Sequence, residues 1–364
     1  MKLWTHPRSA VAALAVSGLL LTACSVDKPD ANAAGDDDSA STSGSGGTAS
    51  AVQITGPDSV PEAPEDEELS VAFFGFARAN SFAAATFAGI EEYAGEHNAT
   101  AEFLDPNFDA QKQASQIQDA VTSGRYDVFI VQANDGTAVM PAIEQALAQD
   151  ITVVIEFTPV GTQYDTAEPQ VDGTITLVDV PTENGTTLGE LGVEACEEAG
   201  VDPCQVAYLE GFKSLPLDNA RTDAVKEVLE GADGVELVAS VEGGYTRDSG
   251  RTAMQDILQS HPDVNVVIGS SQAVAGAAGV AGDREIAFIG NGGSRQAVDA
   301  VRAGDWFGTV CLPERTAGAT AAALGLAAAR GVDVPDTNTS AALSPVEGRC
   351  TQDTVGDIQG EYDE

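Results

Sequence analysis

The residues of this sequence that could bind a small molecule are polar and aromatic side chains that directly follow apolar, strand-like segments. In the first half of the chain they are Arg78, Asn80, Gln132, Asn134, Asp135, Glu156, Phe157 and Thr158, and in the second half Phe212, Lys213, Ser214, Ser270, Ser271 and Asn291. Amides and charged groups can satisfy ligand hydroxyls, while an aromatic ring covers the C–H surface between them. The pattern predicts a site for a hydroxylated small molecule.

No catalytic motif accompanies these residues. The sequence contains no GxSxG elbow, no Walker-type phosphate loop, no GxGxxG after a strand and no HExxH. The turn Gly290-Asn291-Gly292-Gly293 could hold a phosphate at a helix N-terminus, but a tight turn is the simpler interpretation. Glu156 is the single candidate for a buried acid or base, and a helix-start or hydrogen-bonding role is the simpler interpretation of it. We therefore predict a binding protein rather than an enzyme, with no cofactor.

Short apolar strands alternate with amphipathic helices from Leu69 onward. The first cycle consists of segments at 69–76, 81–95, 101–104, 109–124, 128–131, 139–147 and 151–155. A second cycle begins with a helix at 187–199 and ends with a helix at 317–330. This alternation is typical of parallel sheets covered on both faces, so we predict an α/β fold with two doubly wound, Rossmann-like lobes. Ligands bind beyond the carboxyl ends of such strands.

The first 23 residues have the features of a secretory signal peptide. Lys2 and Arg8 give a positive start, and the apolar run 10–21 is too short to span a bilayer. The stretch Leu21-Thr22-Ala23-Cys24 resembles the lipobox of bacterial lipoproteins, in which the cysteine is acylated and becomes the new N-terminus. An ordinary signal peptide is the alternative. We expect lipidation at Cys24, with the protein held by acyl chains on the extracytoplasmic face of the cell membrane.

The composition after the signal is acidic and poor in apolar residues. Residues 24–68 are predicted to be the lipidated cysteine and a disordered acidic linker, because they bury too little to offset the entropy of ordering. The folded domain is expected at 69–364. The net charge of −40 argues against a nucleic-acid partner and against electrostatic adhesion to anionic lipid.

Four cysteines remain in the expected folded domain, namely Cys196, Cys204, Cys311 and Cys350. An even number in an oxidising compartment predicts two disulfides, for which the sequence allows three pairings. Loop closure costs least for Cys196 with Cys204, which would leave Cys311 with Cys350. No close CxxC pair is present and the histidines after the signal are far apart, so no metal site is predicted.

Five stretches of the sequence occur in a characteristic order and spacing. They are Asn80-Ser81-Phe82, Asp109–Gly124, Asn219-Ala220-Arg221, His261-Pro262-Asp263-Val264, and Gly290-Asn291-Gly292-Gly293 before a helix ending in Ala303-Gly304. Together they resemble the type I periplasmic-binding-protein superfamily, in its ribose- and galactose-binding branch, over residues 69 to about 359. The resemblance implies two lobes with crossovers near 157–175 and 311–313 and a third near the tail. A ligand would lie between the lobes, which would close about a hinge.

We place the N-lobe at about 69–172 plus 313–338, and the C-lobe at about 173–312 plus 339–360. The resemblance also implies roles for single residues. Asn80 and Phe82 match the polar and stacking positions of the N-lobe, and Gln132 falls on an Asn position there. Arg221 matches the C-lobe arginine that grips sugar hydroxyls with a planar fork of donors, and Tyr245 falls at a second aromatic position.

Four positions depart from the family pattern. Phe157-Thr158 stand where the family usually has Asp-Arg or Asp-Ser, and Ser270-Ser271 stand for an Asn-Asp pair. Asn291 or Gly292 replaces an Asp, and Cys311 or Leu312 replaces a Gln. With Phe157, Ser271 and Asn291 completing the predicted ligand set, the altered positions favour a less hydroxylated sugar, a sugar derivative or another small polar metabolite.

The resemblance implies a function as the extracytoplasmic solute-binding lipoprotein of an ABC importer. The ligand would be a sugar or sugar derivative, the protein partner a permease in the membrane, and the binding protein itself a monomer. The alternative is a ligand-sensing receptor lipoprotein that delivers its closed form to a membrane sensor. A transcription repressor of the same fold would need a DNA-binding headpiece where the secretion signal stands, and the negative charge opposes it.

Overall fold

The N-lobe is built on a five-stranded parallel sheet whose strands are apolar on both faces. In the computed structural model, which describes residues 53–364, its strands are β1 (Leu69–Phe74), β2 (Ala99–Phe103), β3 (Val128–Val131), β4 (Thr152–Phe157) and β5 (Ile175–Val178), in the order β2-β1-β3-β4-β5. Four helices cover it, namely α1 (Ser81–Glu96), α2 (Ala110–Ser123), α3 (Gly136–Leu147) and α9 (Glu314–Ala329). Successive strand residues point to opposite faces, so Phe73 packs under α1 and α9 while Phe74 packs under α2 and α3.

The C-lobe repeats this architecture with six strands. They are β6 (Cys204–Glu210), β7 (Val235–Glu242), β8 (Val266–Ser270), β9 (Ala287–Asn291), β10 (Gly308–Val310) and β11 (Arg349–Thr351), in the order β11-β10-β9-β8-β6-β7. The edge strand β11 is antiparallel to β10, and the other pairings are parallel. The helices of this lobe are α4 (Pro181–Ala199), α5 (Pro216–Gly231), α6 (Arg247–Ser260), α7 (Ser271–Ala281) and α8 (Arg295–Ala303). The predicted α/β fold with two doubly wound lobes is confirmed.

Side chains at helix ends explain why the helices begin and end where they do. Asp109 caps α2 by accepting a hydrogen bond from the Lys112 amide at 2.9 Å, and Gly124 ends that helix in the left-handed conformation at φ 59°. Ser294 caps α8 in the same way, with its hydroxyl 3.0 Å from the Ala297 amide nitrogen. The helix predicted between Asp109 and Gly124 is therefore confirmed together with both of its end signals.

Three connections join the lobes, and the first lies later than expected. Strand β5 pairs with β4, so the N-lobe sheet continues to Val178 and the chain crosses at 179–180 rather than near 157–175. The second connection is 311–313, between β10 and α9. The third runs beside β5, with a bridge between Val178 and Thr339, before it reaches β11. The predicted boundary between the N-lobe and the C-lobe at 172–173 is thus corrected to 178–179. The sequence did not reveal β5 because it is a short edge strand, defined by its pairing with β4.

The folded unit begins before Leu69. Ile54 and Val60 are buried in the same apolar cluster as α1 and α9, and a 3₁₀ turn at Pro57–Ser59 contacts α9. The prediction of a disordered linker is therefore wrong for residues 53–68, because two apolar side chains find cover on the Ala-rich surface of α9. The signal peptide, Cys24 and the remainder of the linker lie outside the described residues.

Two disulfides are present, Cys196–Cys204 and Cys311–Cys350. The first ties the end of α4 to the start of β6. The second ties the 311–313 connection to β11. Of the three pairings that the sequence allows, the structure contains the one with the cheapest loop closure.

Close packing of α1 against α9 depends on two glycines, which leads to a stability prediction. A Cβ at Gly318 would overlap the carbonyl oxygen of Thr86, and one at Gly89 would overlap that of Arg315. Since backbone atoms cannot rotate away, Gly318→Ala should lower the free energy of unfolding by about 1–3 kcal/mol. Urea denaturation measures this. The matched control is Gly95→Ala, also in α1, where an added Cβ meets no atom within 4 Å; equal effects of Gly318→Ala and Gly95→Ala would contradict the packing argument.

Candidate ligand-binding site between the lobes

A cavity lies between the lobes at the carboxyl ends of both sheets. Its apolar lining consists of Phe76, Phe82, Phe108, Phe157, Leu215, Leu217, Val310 and Leu312. Its polar lining consists of Asn80, Arg221, Tyr245, Gln272, Asn291, Glu314 and Tyr362, with Gly292 beside them. Aromatic and aliphatic side chains combined with polar groups that point into the same space are typical of a small-molecule site.

Aromatic rings from both lobes meet at this cavity. The rings of Phe82 and Phe157 pack edge to face with centroids 4.7 Å apart. Phe108 of the N-lobe reaches Phe212 of the C-lobe at 5.3 Å and lies parallel to Tyr245 at 6.4 Å. Such ring pairs stabilise a contact beyond the area they bury. The two lobes therefore touch across the cleft, which is the closed arrangement of the clamp.

The end of β4 is strained where it faces the cavity. Phe157 has a positive φ of 61°, and the Thr158 amide donates to the Glu156 carbonyl at 2.7 Å. A bulky residue adopts this conformation only when its surroundings impose it, and such residues concentrate at ligand sites. The tight turn presents the Phe157 ring to the cavity.

Arg221 is the only buried cation in the described lining of the cavity. It lies on α5 with 5% exposure, and its Nη1 donates to Asp218 Oδ1 at 3.1 Å. Its Nη2 is 3.6 Å from Asp179 Oδ2, in the first connection between the lobes. The Nε and Nη2 groups have no hydrogen-bond partner within the described chain. The guanidinium is thus oriented by Asp218 and Asp179, while Nε and Nη2 keep hydrogen-bonding capacity that a ligand can use.

A pair of amides links the cavity to Asp179. Asn184 and Asn291 exchange hydrogen bonds at 3.3 and 3.1 Å, and Asn184 Nδ2 also donates to Asp179 Oδ2 at 2.8 Å. Burial raises the pKa of Asp179 to about 6, although Arg221 and then Asn184 oppose that shift. Asn291 lines the cavity with its amide oriented by these bonds.

Two further carboxyl groups are buried near Asp179. Both oxygens of Glu156 and Oε2 of Glu314 have no hydrogen-bond partner within the described chain. Burial raises the pKa of Glu156 to about 8, opposed by Gln132 and reinforced by Asp179. Burial, followed by repulsion from Glu156 and Asp179, raises the pKa of Glu314 well above its usual range. A protonated Glu314 in the cavity wall can donate as well as accept a hydrogen bond.

The structure brings six of the eight residues of the predicted ligand set to the cavity, whereas most of the other strand-end candidates do not line it. Those that line the cavity are Asn80, Phe82, Phe157, Arg221, Tyr245 and Asn291. Asn80 also caps α1, since its Oδ1 accepts from the Ala83 amide at 3.0 Å. Its NH₂ group is therefore the part left to meet a ligand.

Gln132 and Ser271 are not brought to the cavity wall. Gln132 is fully buried, with Nε2 donating to Thr86 Oγ1 at 3.2 Å and Oε1 accepting from the Phe76 amide at 3.4 Å. It braces the end of β1, and no part of it lines the cavity. Ser271 is the first residue of α7, fully buried behind Gly292, and its hydroxyl has no partner in the described chain.

Several lining residues were absent from the predicted ligand set, and three of them were missed for different reasons. Phe108 follows the carboxyl end of β2, so the strand-end rule that found Asn80 could have found it. Glu314 opens α9, where an acidic residue ordinarily signals only a helix start. Tyr362 arrives from a segment with no strand or helix pattern, and no sequence signal points to it.

Two doubly wound lobes, three connections and a cavity enclosed between the lobes define a two-lobed solute-binding protein. The model of the periplasmic binding protein domain matches residues 71–333, and the chain belongs to this family. Within residues 53–364, no helix combines the length and apolar character needed to cross a bilayer.

Individual relatives agree with this assignment. The chain is 25% identical over 226 residues to the ribose import binding protein of Bacillus subtilis (strain 168), covering 61% of this chain and 69% of that protein. An ABC transporter solute-binding protein from Mycobacterium smegmatis with bound glycerol has the same fold, at 22% identity and a TM-score of 0.68, covering 82% of this chain and 99% of that one. A second ABC transporter solute-binding protein, from Bacillus halodurans C-125 with bound myo-inositol, is 18% identical with a TM-score of 0.67. The match covers 83% of this chain and 99% of that one.

Proposed function

We propose that this protein captures a sugar or sugar derivative outside the cytoplasm and presents it to an ABC importer. The observation that carries the proposal is the Arg221 guanidinium, held by two carboxylates with free donors beside aromatic faces in a closed interlobe cavity. Family membership and the ribose import protein among the relatives support it. The sensor alternative is not favoured, since the similar structures are described as ABC transporter proteins.

The chemistry of the cavity suits a partly hydroxylated ligand. Arg221 and the Asn80 amide can donate hydrogen bonds to a ligand, and Glu314 can both donate and accept them. The hydroxyl groups around a small sugar ring therefore find partners. Phe82, Phe157 and Tyr245 cover C–H surface between them. The four phenylalanines and four aliphatic side chains of the lining offer no hydrogen bonds, which favours a sugar with fewer hydroxyls, or a derivative of one. Glu156 does not line the cavity, so we propose binding without chemical conversion.

Binding would be coupled to closure of the clamp. In the closed arrangement Gln272 Nε2 of the C-lobe lies 3.4 Å from Ser81 Oγ of the N-lobe, and Phe108 contacts Phe212. These contacts exist only when the lobes meet, and a ligand that bridges the lobes shifts the population towards them. A permease that recognises the closed surface would then receive only loaded protein.

We further propose that acylation at Cys24 tethers the protein, as a monomer, to the extracytoplasmic face of the membrane, with residues 25–52 as the spacer. Cys24→Ser in the producing cell should release the protein from the membrane fraction into the medium. Retention of the variant in the membrane fraction would contradict lipid anchoring at this residue.

The proposed ligand class is tested with the mature chain lacking the predicted signal peptide. Native mass spectrometry identifies co-purified ligand, and thermal shifts are measured with D-ribose, L-arabinose, D-galactose, D-allose, myo-inositol, amino acids and nucleosides. A ligand at one hundred times its Kd should add about 2.7 kcal/mol of stability. Stabilisation by one sugar or polyol supports the proposal, whereas stabilisation by amino acids or nucleosides alone would overturn it.

A further inference from the structure

The last six residues of the sequence, Gln359–Glu364, reach the cavity between the lobes. Tyr362 is only 5% exposed and lines that cavity. Its ring stands edge-on to Phe82 of the N-lobe, with centroids 6.4 Å apart. Its buried hydroxyl lies beside the Ser271 hydroxyl, close to Gly292, and neither group forms a hydrogen bond with good geometry within the described chain. A buried phenol normally finds a well-aligned partner, and a ligand in the cavity that Tyr362 lines can supply one.

Hydrogen bonds to both lobes hold this segment in place. The Arg295 amide donates to the Tyr362 carbonyl at 2.8 Å, and Ser294 Oγ donates to Glu364 Oε1 at 2.6 Å. On the N-lobe side, the carboxylate of Glu361 accepts from the Thr316 amide at 2.8 Å and from its hydroxyl at 2.6 Å, in the first turn of α9. Tyr362 is therefore positioned by its own backbone and by the residue before it.

The neighbouring residues leave space for the phenol. A Cβ at Gly292 would lie 2.7 Å from the Tyr362 hydroxyl and 2.5 Å from Ser271 Oγ. Gly292 also has a φ of 147°, which favours glycine. A larger side chain at Gly292 would therefore displace Tyr362. The position of the Tyr362 ring therefore depends on small side chains at Ser271 and Gly292.

We infer that Tyr362, supplied by the segment 359–364, is a ligand-binding residue. This inference rests on the proposed function for the class of ligand. The phenol hydroxyl meets a ligand hydroxyl, and the ring covers part of the ligand's C–H surface. Together with Glu314 it selects which hydroxyl pattern the closed clamp accepts.

Isothermal titration of Tyr362→Phe and Tyr362→Ala tests the inference, using the compound from the panel above that binds the wild-type protein most tightly. Loss of one neutral hydrogen bond should weaken binding up to about 10-fold in Tyr362→Phe, and Tyr362→Ala should lose more because the ring is removed as well. Asp363→Asn is the matched control, because Asp363 is exposed and pairs only with Arg295 and Gln296 in the described chain. It should bind as the wild type does.

The order of preference across the panel should also change in Tyr362→Phe, which a purely structural tyrosine would not cause. Wild-type affinity and unchanged preference in both Tyr362 variants would overturn the inference while leaving the proposed function intact. If the wild type binds only a compound that is not a sugar, the proposed function fails and the same variants test the inference on that compound. A wild-type protein that binds nothing in the panel overturns both.

Discussion

Replacing Arg221 with alanine is expected to weaken ligand binding more than any other single substitution in the cavity. The side chain offers Nε and Nη2 to a ligand, and hydrogen bonds to charged groups contribute about 1.5–3 kcal/mol each. Loss of both should lower affinity by about 100-fold or more, measured by titration with the preferred sugar. Arg221→Lys keeps the charge but not the planar fork, so it should recover only part of the affinity.

The same substitution should destabilise the protein without ligand. Arg221 is the partner of two buried carboxyl groups, Asp218 at 3.1 Å and Asp179 at 3.6 Å. Removing one member of a buried ion pair typically costs about 3–5 kcal/mol, because the other charge is left uncompensated. Urea denaturation at pH 7 measures the loss. Arg315→Ala is the control, since its pairing with Glu92 is exposed and should contribute little.

Two outcomes would contradict this account of Arg221. Unchanged affinity in Arg221→Ala would remove the residue from the ligand site. An unchanged free energy of unfolding, with lost affinity, would mean that Asp179 and Asp218 do not depend on it in the folded state.

Replacing Glu156 with glutamine is expected to change how stability depends on pH. The carboxyl group is fully buried without a hydrogen-bond partner in the described chain, and burial raises its pKa from 4.5 to about 8. The folded state therefore retains a proton that the unfolded state releases above pH 4.5. Its contribution is fully present below that pH and is lost as the pH rises through about 8, so the protein becomes less stable over this range.

The size of the effect follows from the shift. A change in pKa from 4.5 to about 8 corresponds to a loss on the order of 5 kcal/mol across the range. Asp179, whose pKa is raised to about 6, and Glu314 act in the same direction. Glu156→Gln should therefore reduce the slope of stability against pH without removing it, and should make the protein more stable than the wild type at pH 8.

Denaturation curves at pH 5, 6, 7 and 8 provide the measurement. Glu144→Gln is the matched control, because Glu144 is exposed on α3 and its substitution should leave the slope unchanged. Parallel curves for the wild type and Glu156→Gln would show that Glu156 does not retain its proton in the folded protein.

Much of the fold was predictable because each element carries its own signal. Strand β3 was predicted at 128–131 and is found there, since all four residues are apolar and the strand is buried on both faces. Helix α2 was predicted from Asp109 and Gly124, whose side-chain cap and left-handed backbone act within one turn. Burial periodicity and helix caps depend on neighbouring residues, so they can be read from a single chain.

The elements that were missed depend on partners far along the chain. Strand β5 has four residues and is defined by its pairing with β4 and with the stretch around Thr339. Strand β11 pairs antiparallel with β10 through only three residues. Ile54 and Val60 become ordered because α9 offers them an apolar surface. None of these contacts leaves a periodic pattern in the local sequence.

The same distinction applies to the candidate site. The residue pattern around each strand was enough to identify the polar and aromatic side chains at strand ends. It placed Asn80, Phe157 and Asn291 near the cavity, because parallel strands all end at the same edge of a sheet. Contacts between distant segments bring Glu314 and Tyr362 to the cavity wall and bury Gln132 away from it. The identity of a residue determines what chemistry it can offer, but long-range packing of the two lobes and the terminal segment decides which side chains meet across the cleft.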